Sequence, residues 1–233
     1  AGEAARFDAA VALRADRAPL SHAIGERAFW GRMFAVTPDV LDPRPETETL
    51  VEWALEGPPP RRVLDLGTGS GCILLTLLAE RPEAEGLGIE ASAAALAVAR
   101  GNAARLGVAG RATLRAGDWL DGVDGAFDLV VANPPYLDAA DMAALSPEVS
   151  REPAGALAGG ADGLDAYRRI FADLPRALAP GGRALLEIGP TQAADVAALG
   201  AAAGLASLGV RRDLDGRDRV AGFSRHGDGL SGR

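Results

Sequence analysis

The residues of clearest chemical character are Asn133-Pro134-Pro135-Tyr136, which follow the apolar run Phe127-Asp128-Leu129-Val130-Val131-Ala132. Neither proline has an N–H, so this turn offers carbonyl acceptors and almost no backbone donors. Asn133 precedes a proline and is biased to extended geometry, which points its amide outward from the end of the run. Together these groups make a rigid set of acceptors suited to a planar –NH2 group, with Tyr136 as a flat neighbour. The plainer alternative is a strand-ending turn, because Asn-Pro is a common turn starter. The surrounding sequence favours the chemical reading.

A second constellation lies upstream. Gly67-Thr68-Gly69-Ser70-Gly71 follows Val63-Leu64-Asp65-Leu66 and precedes the apolar stretch Cys72 to Glu80. A glycine turn between a strand and a helix lets a ligand approach the backbone closely. The spacing departs from the dinucleotide pattern, whose third glycine would stand one place later, where Cys72 is. Asp65 adds a carboxylate that would repel a pyrophosphate and welcome a cation. Glu90 ends the next apolar run, where an acidic residue can take both ribose hydroxyls. Asp118-Trp119 supplies an acceptor and an aromatic face for adenine. Matched groups at three successive strand ends fit S-adenosylmethionine, whose sulfonium and ammonium carry the required sign. The expected cofactor residues are therefore Asp65, Gly67, Thr68, Gly69, Ser70, Gly71, Glu90, Asp118, Trp119 and Asn133.

These residues need a scaffold. Apolar runs at 63–66, 87–90, 112–115, 127–132, 184–188, 205–210 and 219–223 read as strands, with helices predicted over 72–80, 93–106, 165–178 and 192–203. Such alternation implies an α/β, mostly parallel seven-stranded sheet with helices on both faces, a Rossmann-like arrangement whose ligands sit at the carboxyl ends of the strands. Residues 137–163 interrupt the rhythm as a long irregular loop, the kind that usually binds or covers a substrate. Upstream, Phe7, Val11 and Arg14 predict a helix over 3–17, Phe34 and Val36 a small hairpin, and 46–55 a further helix. Gly57-Pro58-Pro59-Pro60 divides the chain, giving an N-terminal helix, hairpin and linker (1–57), an α/β domain expected to hold S-adenosylmethionine (58–225) and a tail (226–233) expected to be disordered.

Composition narrows the partners. The 233 residues carry a net charge of −8, which argues against a nucleic-acid partner gripped through phosphates. All 24 basic residues are arginine, which by itself points to no partner. The lone Cys72 and two histidines make a metal site unexpected. No run is long enough to span a membrane and residues 1–6 do not resemble a signal peptide, so a cytoplasmic protein is expected.

The motifs together resemble class I S-adenosylmethionine-dependent methyltransferases that modify planar nitrogens, and more closely the release factor glutamine methyltransferases. Pro43-Arg44-Pro45-Glu46-Thr47-Glu48 is similar to that family's Pro-Arg-Pro-Glu-Thr-Glu signature, although Asp42 stands where the family carries an apolar residue. Glu148-Val149-Ser150-Arg151-Glu152-Pro153, the glycine pair 159–160 and Asp215-Gly216-Arg217-Asp218-Arg219 match as well. The resemblance implies methylation of the glutamine amide in the Gly-Gly-Gln motif of peptide chain release factors, with S-adenosylhomocysteine as the other product. It implies Asn133, Pro134, Pro135 and Tyr136 as the catalytic group, and a monomer acting on a protein. It also implies an N-terminal substrate-docking region, of which 1–57 reads as a truncated part. A glutamine methyltransferase of a ribosomal protein, or an enzyme for exocyclic amino groups of nucleic acid, shares the chemistry and stays open here.

Overall fold

The computed structural model describes residues 2–226. The predicted disordered tail, His226 apart, lies outside the described residues. The chain opens with α1 (Glu3–Ala15), α2 (Leu20–Ile24) and the hairpin β1 (Glu26–Phe29) and β2 (Arg32–Ala35), then α3 (Glu48–Glu56). The α/β part follows as β3 (Arg62–Leu66), α4 (Cys72–Glu80), β4 (Glu85–Glu90), α5 (Ala93–Arg105), β5 (Ala112–Ala116) and β6 (Phe127–Ala132). After the short α6 (Ala139–Ala143) come α7 (Asp165–Ala177), β7 (Leu178–Glu187), α8 (Ala193–Ala202), β8 (Ala206–Arg212) and β9 (Asp218–Ser224). The sheet has seven strands in the order β5-β4-β3-β6-β7-β9-β8. All run parallel except β9, which lies antiparallel to both neighbours.

Alternation along the strands divides the core into two layers. Leu64 and Leu66 of β3 join Tyr167, Phe171 and Leu174 of α7 on one face. Val63 faces the other way, towards Leu50 and Trp53 of α3, Leu74 of α4 and Phe29 and Phe34 of the hairpin. Residues on both sides of the Gly57–Pro60 stretch thus share one buried cluster. Helix α4 is buried continuously from Ile73 to Leu78, as expected of a helix without a polar face. Helix α7 instead buries Tyr167, Ile170, Phe171 and Leu174, the spacing of a single apolar stripe.

One boundary differs from its sequence reading. Pro180-Gly181-Gly182 reads as a helix stop before a strand at 184, yet β7 begins at Leu178, directly after α7. Leu178 pairs with Phe127, and the register then shifts before Leu129 pairs with Arg183. Gly181, at φ +76°, takes the positive φ within this irregularity, and a bulge is where a strand tolerates a proline that cannot donate. The loop 137–163 holds α6 and two 3-10 turns. It is stitched back on itself by Leu137 N–H to Leu157 O (3.0 Å) and Gly159 N–H to Leu137 O (2.8 Å).

Candidate active site

A cavity of about 370 Å³ opens at the carboxyl ends of β3, β4, β5 and β6. Gly67, Thr68, Gly69 and Ser70 form one wall. Gly67 (φ +71°) and Gly69 (φ +56°) adopt left-handed backbone that glycine accepts without strain. Thr68 N–H donates to Ile89 O at 3.0 Å, tying the turn to the adjacent strand. Glu90 lines the cavity and accepts Gly69 N–H at one carboxylate oxygen and Ser92 N–H at the other, both at 2.9 Å. The second of these holds Glu90 beside the start of α5, where the Ser92 hydroxyl caps Ala95 N–H at 3.2 Å.

Asp118 and Trp119 complete the far wall. Trp119 is itself in left-handed backbone (φ +52°), a conformation that a bulky residue keeps only when its surroundings impose it. The indole stands beside Gly67, where a Cβ would come within 3.5 Å of the ring. Asp118 is exposed and pairs with Arg169 of α7 at 2.7 Å.

Two expected residues stand behind the wall instead of on it. Asp65 is almost fully buried and accepts the Thr68 hydroxyl at 2.6 Å, while its Oδ1 has no partner among the described residues. Burial pushes its carboxyl up to about 7. Gly71 (φ +83°) ends the turn, where a Cβ would strike Leu75 at 2.7 Å. Cys72 lines the cavity, and burial pushes its thiol up to about 12, out of the range of a nucleophile.

Asn133 stands where this cavity meets a second one of about 200 Å³. Leu41, Arg44, Asn133 and Ala156 line both, so the two spaces share a threshold. Pro135 faces the larger space and Tyr136 the smaller, whereas Pro134 is buried and lines neither. The Asn133 amide donates from Nδ2 to Thr47 Oγ1 at 3.3 Å, and Thr47 donates in turn to Glu187 at 2.7 Å. Burial raises the Glu187 carboxyl to about 7 and the Tyr136 phenol to about 12. The Tyr136 hydroxyl stands 3.5 Å from Arg219, whose Nε is paired with Asp213 at 3.1 Å.

The turn is braced from behind by Gln192, a residue that sequence reasoning missed. Its Nε2 donates to Tyr136 O (3.0 Å) and Gly163 O (3.2 Å), while its Oε1 accepts Gly189 N–H (3.0 Å). Asn102 is a second such residue. It is fully buried on α5, exchanges hydrogen bonds with both backbone groups of Ala35 and donates to Ser70 O at 2.9 Å. The hairpin and the glycine turn are thereby pinned to one side chain.

The Pro43–Glu48 segment carries the remaining lining. Arg44 pairs with buried Glu152 at 2.6 Å, and Glu152 also accepts Asp42 N–H at 3.0 Å. This joins the segment to the long loop, whose Pro153, Gly155 and Ala156 close the larger cavity. Asp42 is accommodated by Arg27 (3.8 Å) and Arg44 (3.9 Å), which explains how a carboxylate replaces an apolar residue there. Glu48 accepts Trp30 N–H at 2.7 Å and supports the hairpin turn. The signal for Arg44 and Thr47 was present in the Pro-Arg-Pro-Glu-Thr-Glu run; for Glu187, Asn102 and Gln192 no local signal exists.

Comparison with known proteins agrees with this geometry. The family model for the methyltransferase small domain matches residues 42–160. The release factor glutamine methyltransferase of Cereibacter sphaeroides is 59% identical over 93% of this chain and 78% of its own length. That of Rhodospirillum rubrum is 52% identical over 93% of this chain and 68% of its own. Among solved structures, a methyltransferase from Pyrococcus furiosus superposes with a TM-score of 0.67 at 16% identity, covering 96% of this chain and 98% of that one. The ribosomal protein L11 methylase of Lactobacillus delbrueckii gives 0.59 at 21% identity, over 86% and 88%. These two structures share the fold, and the chain itself, so similar to its relatives along most of its length, belongs to the release factor glutamine methyltransferase family.

Proposed function

We propose that this chain transfers a methyl group from S-adenosylmethionine to the side-chain amide nitrogen of a glutamine in a peptide chain release factor. The observation that carries the reading is the shared threshold: Asn133 faces both a glycine-walled cavity and a smaller one. The larger cavity suits the cofactor. Its glycine turn leaves room for close approach, Glu90 offers a carboxylate to ribose hydroxyls, and Trp119 an aromatic face. The partnerless oxygen of buried Asp65 behind the turn favours a cation nearby. When bound, the cofactor supplies an electrophilic methyl on a sulfonium.

An amide nitrogen is a poor nucleophile because its lone pair is delocalised into the carbonyl. Asn133 Oδ1 and the Pro134 carbonyl each accept one N–H of the substrate amide, which holds the nitrogen in place and favours pyramidalisation. Tyr136 N–H meets the substrate carbonyl. Catalysis is then mainly positioning and preorganised dipoles. No strong base is needed, because the nitrogen-bound proton becomes acidic as the new bond forms. The long loop and Arg44 form the entrance for the protein substrate.

Radiolabel transfer from S-adenosylmethionine to purified release factor, ribosomal protein and duplex DNA, run side by side, tests this reading. Label on the release factor is the expected outcome. Label on DNA, with the release factor bare, would overturn it.

A further inference from the structure

Asn133 is useful only if its oxygen, not its –NH2, faces the substrate amide. The two ends of a carboxamide have the same shape, so something must select between them. Thr47 and Glu187, far from Asn133 in sequence, do so through hydrogen-bond direction. We propose that Thr47 and Glu187 are positioning residues that lock the Asn133 amide with Oδ1 towards the substrate, and that the lock depends on Glu187 being ionised.

A threonine hydroxyl has one proton to give. Thr47 gives it to Glu187 at 2.7 Å, so its oxygen is left to accept, and it accepts Nδ2 of Asn133 at 3.3 Å. That turns the Nδ2 end of the amide towards Thr47 and leaves Oδ1 for the threshold. The direction of the chain originates at Glu187, because an ionised carboxylate only accepts. Once protonated, Glu187 can donate to Thr47, which then turns its own proton towards Asn133. The amide would flip and present –NH2 to –NH2. Both Thr47 and Glu187 are buried to within 1% exposure, so bulk water does not compete for the chain.

Glu187 is placed to change state in the neutral range, since burial lifts its carboxyl to about 7. The groups that bear on it are Arg219 of β9 and Arg44, which favour the ionised form, and Glu46, which opposes it. Tyr136, Tyr167 of α7 and Cys72 of α4 also face it, each itself held neutral by burial. The inference rests on the reading of Asn133 as the acceptor for the substrate N–H.

The test measures kcat for methyl transfer to release factor against pH, together with S-adenosylmethionine affinity, for wild type, Thr47→Val, Thr47→Ser, Glu187→Gln and each combined with Asn133→Ala. Wild-type kcat should fall on the acid side with a midpoint near 7. At saturating S-adenosylmethionine, Thr47→Val should lose roughly 10- to 100-fold in kcat, as expected of a mispositioned catalytic group. Thr47→Ser should restore most of the loss, and Glu187→Gln should abolish the acid limb. In the Asn133→Ala background neither substitution should cost anything further, because both act through the missing amide. Full kcat in Thr47→Val, losses that add to that of Asn133→Ala, or an acid limb that survives Glu187→Gln would overturn the proposal. Should Thr47→Val fail to fold, Thr47→Ser and Glu187→Gln decide the matter alone. An active Asn133→Ala enzyme would instead overturn the underlying reading of Asn133.

Discussion

Glu90 shows how a single side chain is prepared before any ligand arrives. Its two oxygens are each committed to a backbone N–H, of Gly69 and of Ser92. A carboxylate oxygen can accept more than one hydrogen bond, so ribose hydroxyls can add to those contacts without displacing them. Glu90→Ala should therefore weaken S-adenosylmethionine binding roughly 10- to 100-fold, as for loss of a charged hydrogen-bonding group, when followed by isothermal titration calorimetry. Unchanged affinity would remove Glu90 from the cofactor site. At the same scale the limits of sequence reading are visible. Asn133 and Glu90 were legible because each stands at the end of an apolar run. Glu187 also ends a run, but what distinguishes it is a bond to Thr47, 140 residues away, and no local pattern encodes that.

Among the elements, the glycine turn depends on α5 as much as on the strand that precedes it. Asn102 joins β2 to Ser70 across a buried space. Asn102→Ala would leave the buried Ser70 carbonyl and the two part-buried backbone groups of Ala35 without this partner, at a cost of about 1–3 kcal/mol for the buried one and less for the others. A net loss of about 2–3 kcal/mol in urea unfolding is expected, with weaker cofactor binding alongside; equal stability would mean that the hairpin is not held through this residue. The strands and α4, α5, α7 and α8 could be foreseen because hydrophobic period and glycine or proline punctuation coincide in them. Helix α2 could not, since Leu20–Ile24 is five residues long and too short for a period to register. The start of β7 was hidden for the opposite reason, as Pro180-Gly181-Gly182 carries a clear breaker signal that the bulge absorbs. Within 137–163 the short turns left no periodic trace, yet the expectation of a functional loop agrees with Pro153 and Ala156 lining the cavity.

For the whole molecule, two of the buried carboxylates, Asp65 and Glu187, set an unusual dependence of stability on pH. Each has its folded value raised to about 7 by burial, from ordinary values of 3.8 and 4.5. The folded state therefore holds protons that the unfolded chain has already released. The stability that this confers is fully present below the unfolded values and is lost as pH rises through about 7. Urea unfolding of the ligand-free protein should give a lower free energy at mildly basic than at mildly acid pH. Asp65→Asn should flatten part of the slope while keeping an oxygen for Thr68. A stability that rises steadily over the same interval would contradict the burial of both groups in their present surroundings. The exposed Asp162, lowered to about 2 by its hydrogen bond with Arg168, acts well below this window and does not disturb it.

All three scales meet at the substrate nitrogen, and fragmentation mass spectrometry of release factor after reaction with wild-type and Asn133→Ala enzyme examines it directly. One methyl on a glutamine side-chain amide should appear with wild type, and its rate of appearance at saturating S-adenosylmethionine should drop roughly 10²- to 10³-fold in the variant. A methyl found on any other atom, or an undiminished rate without the Asn133 amide, would contradict the account.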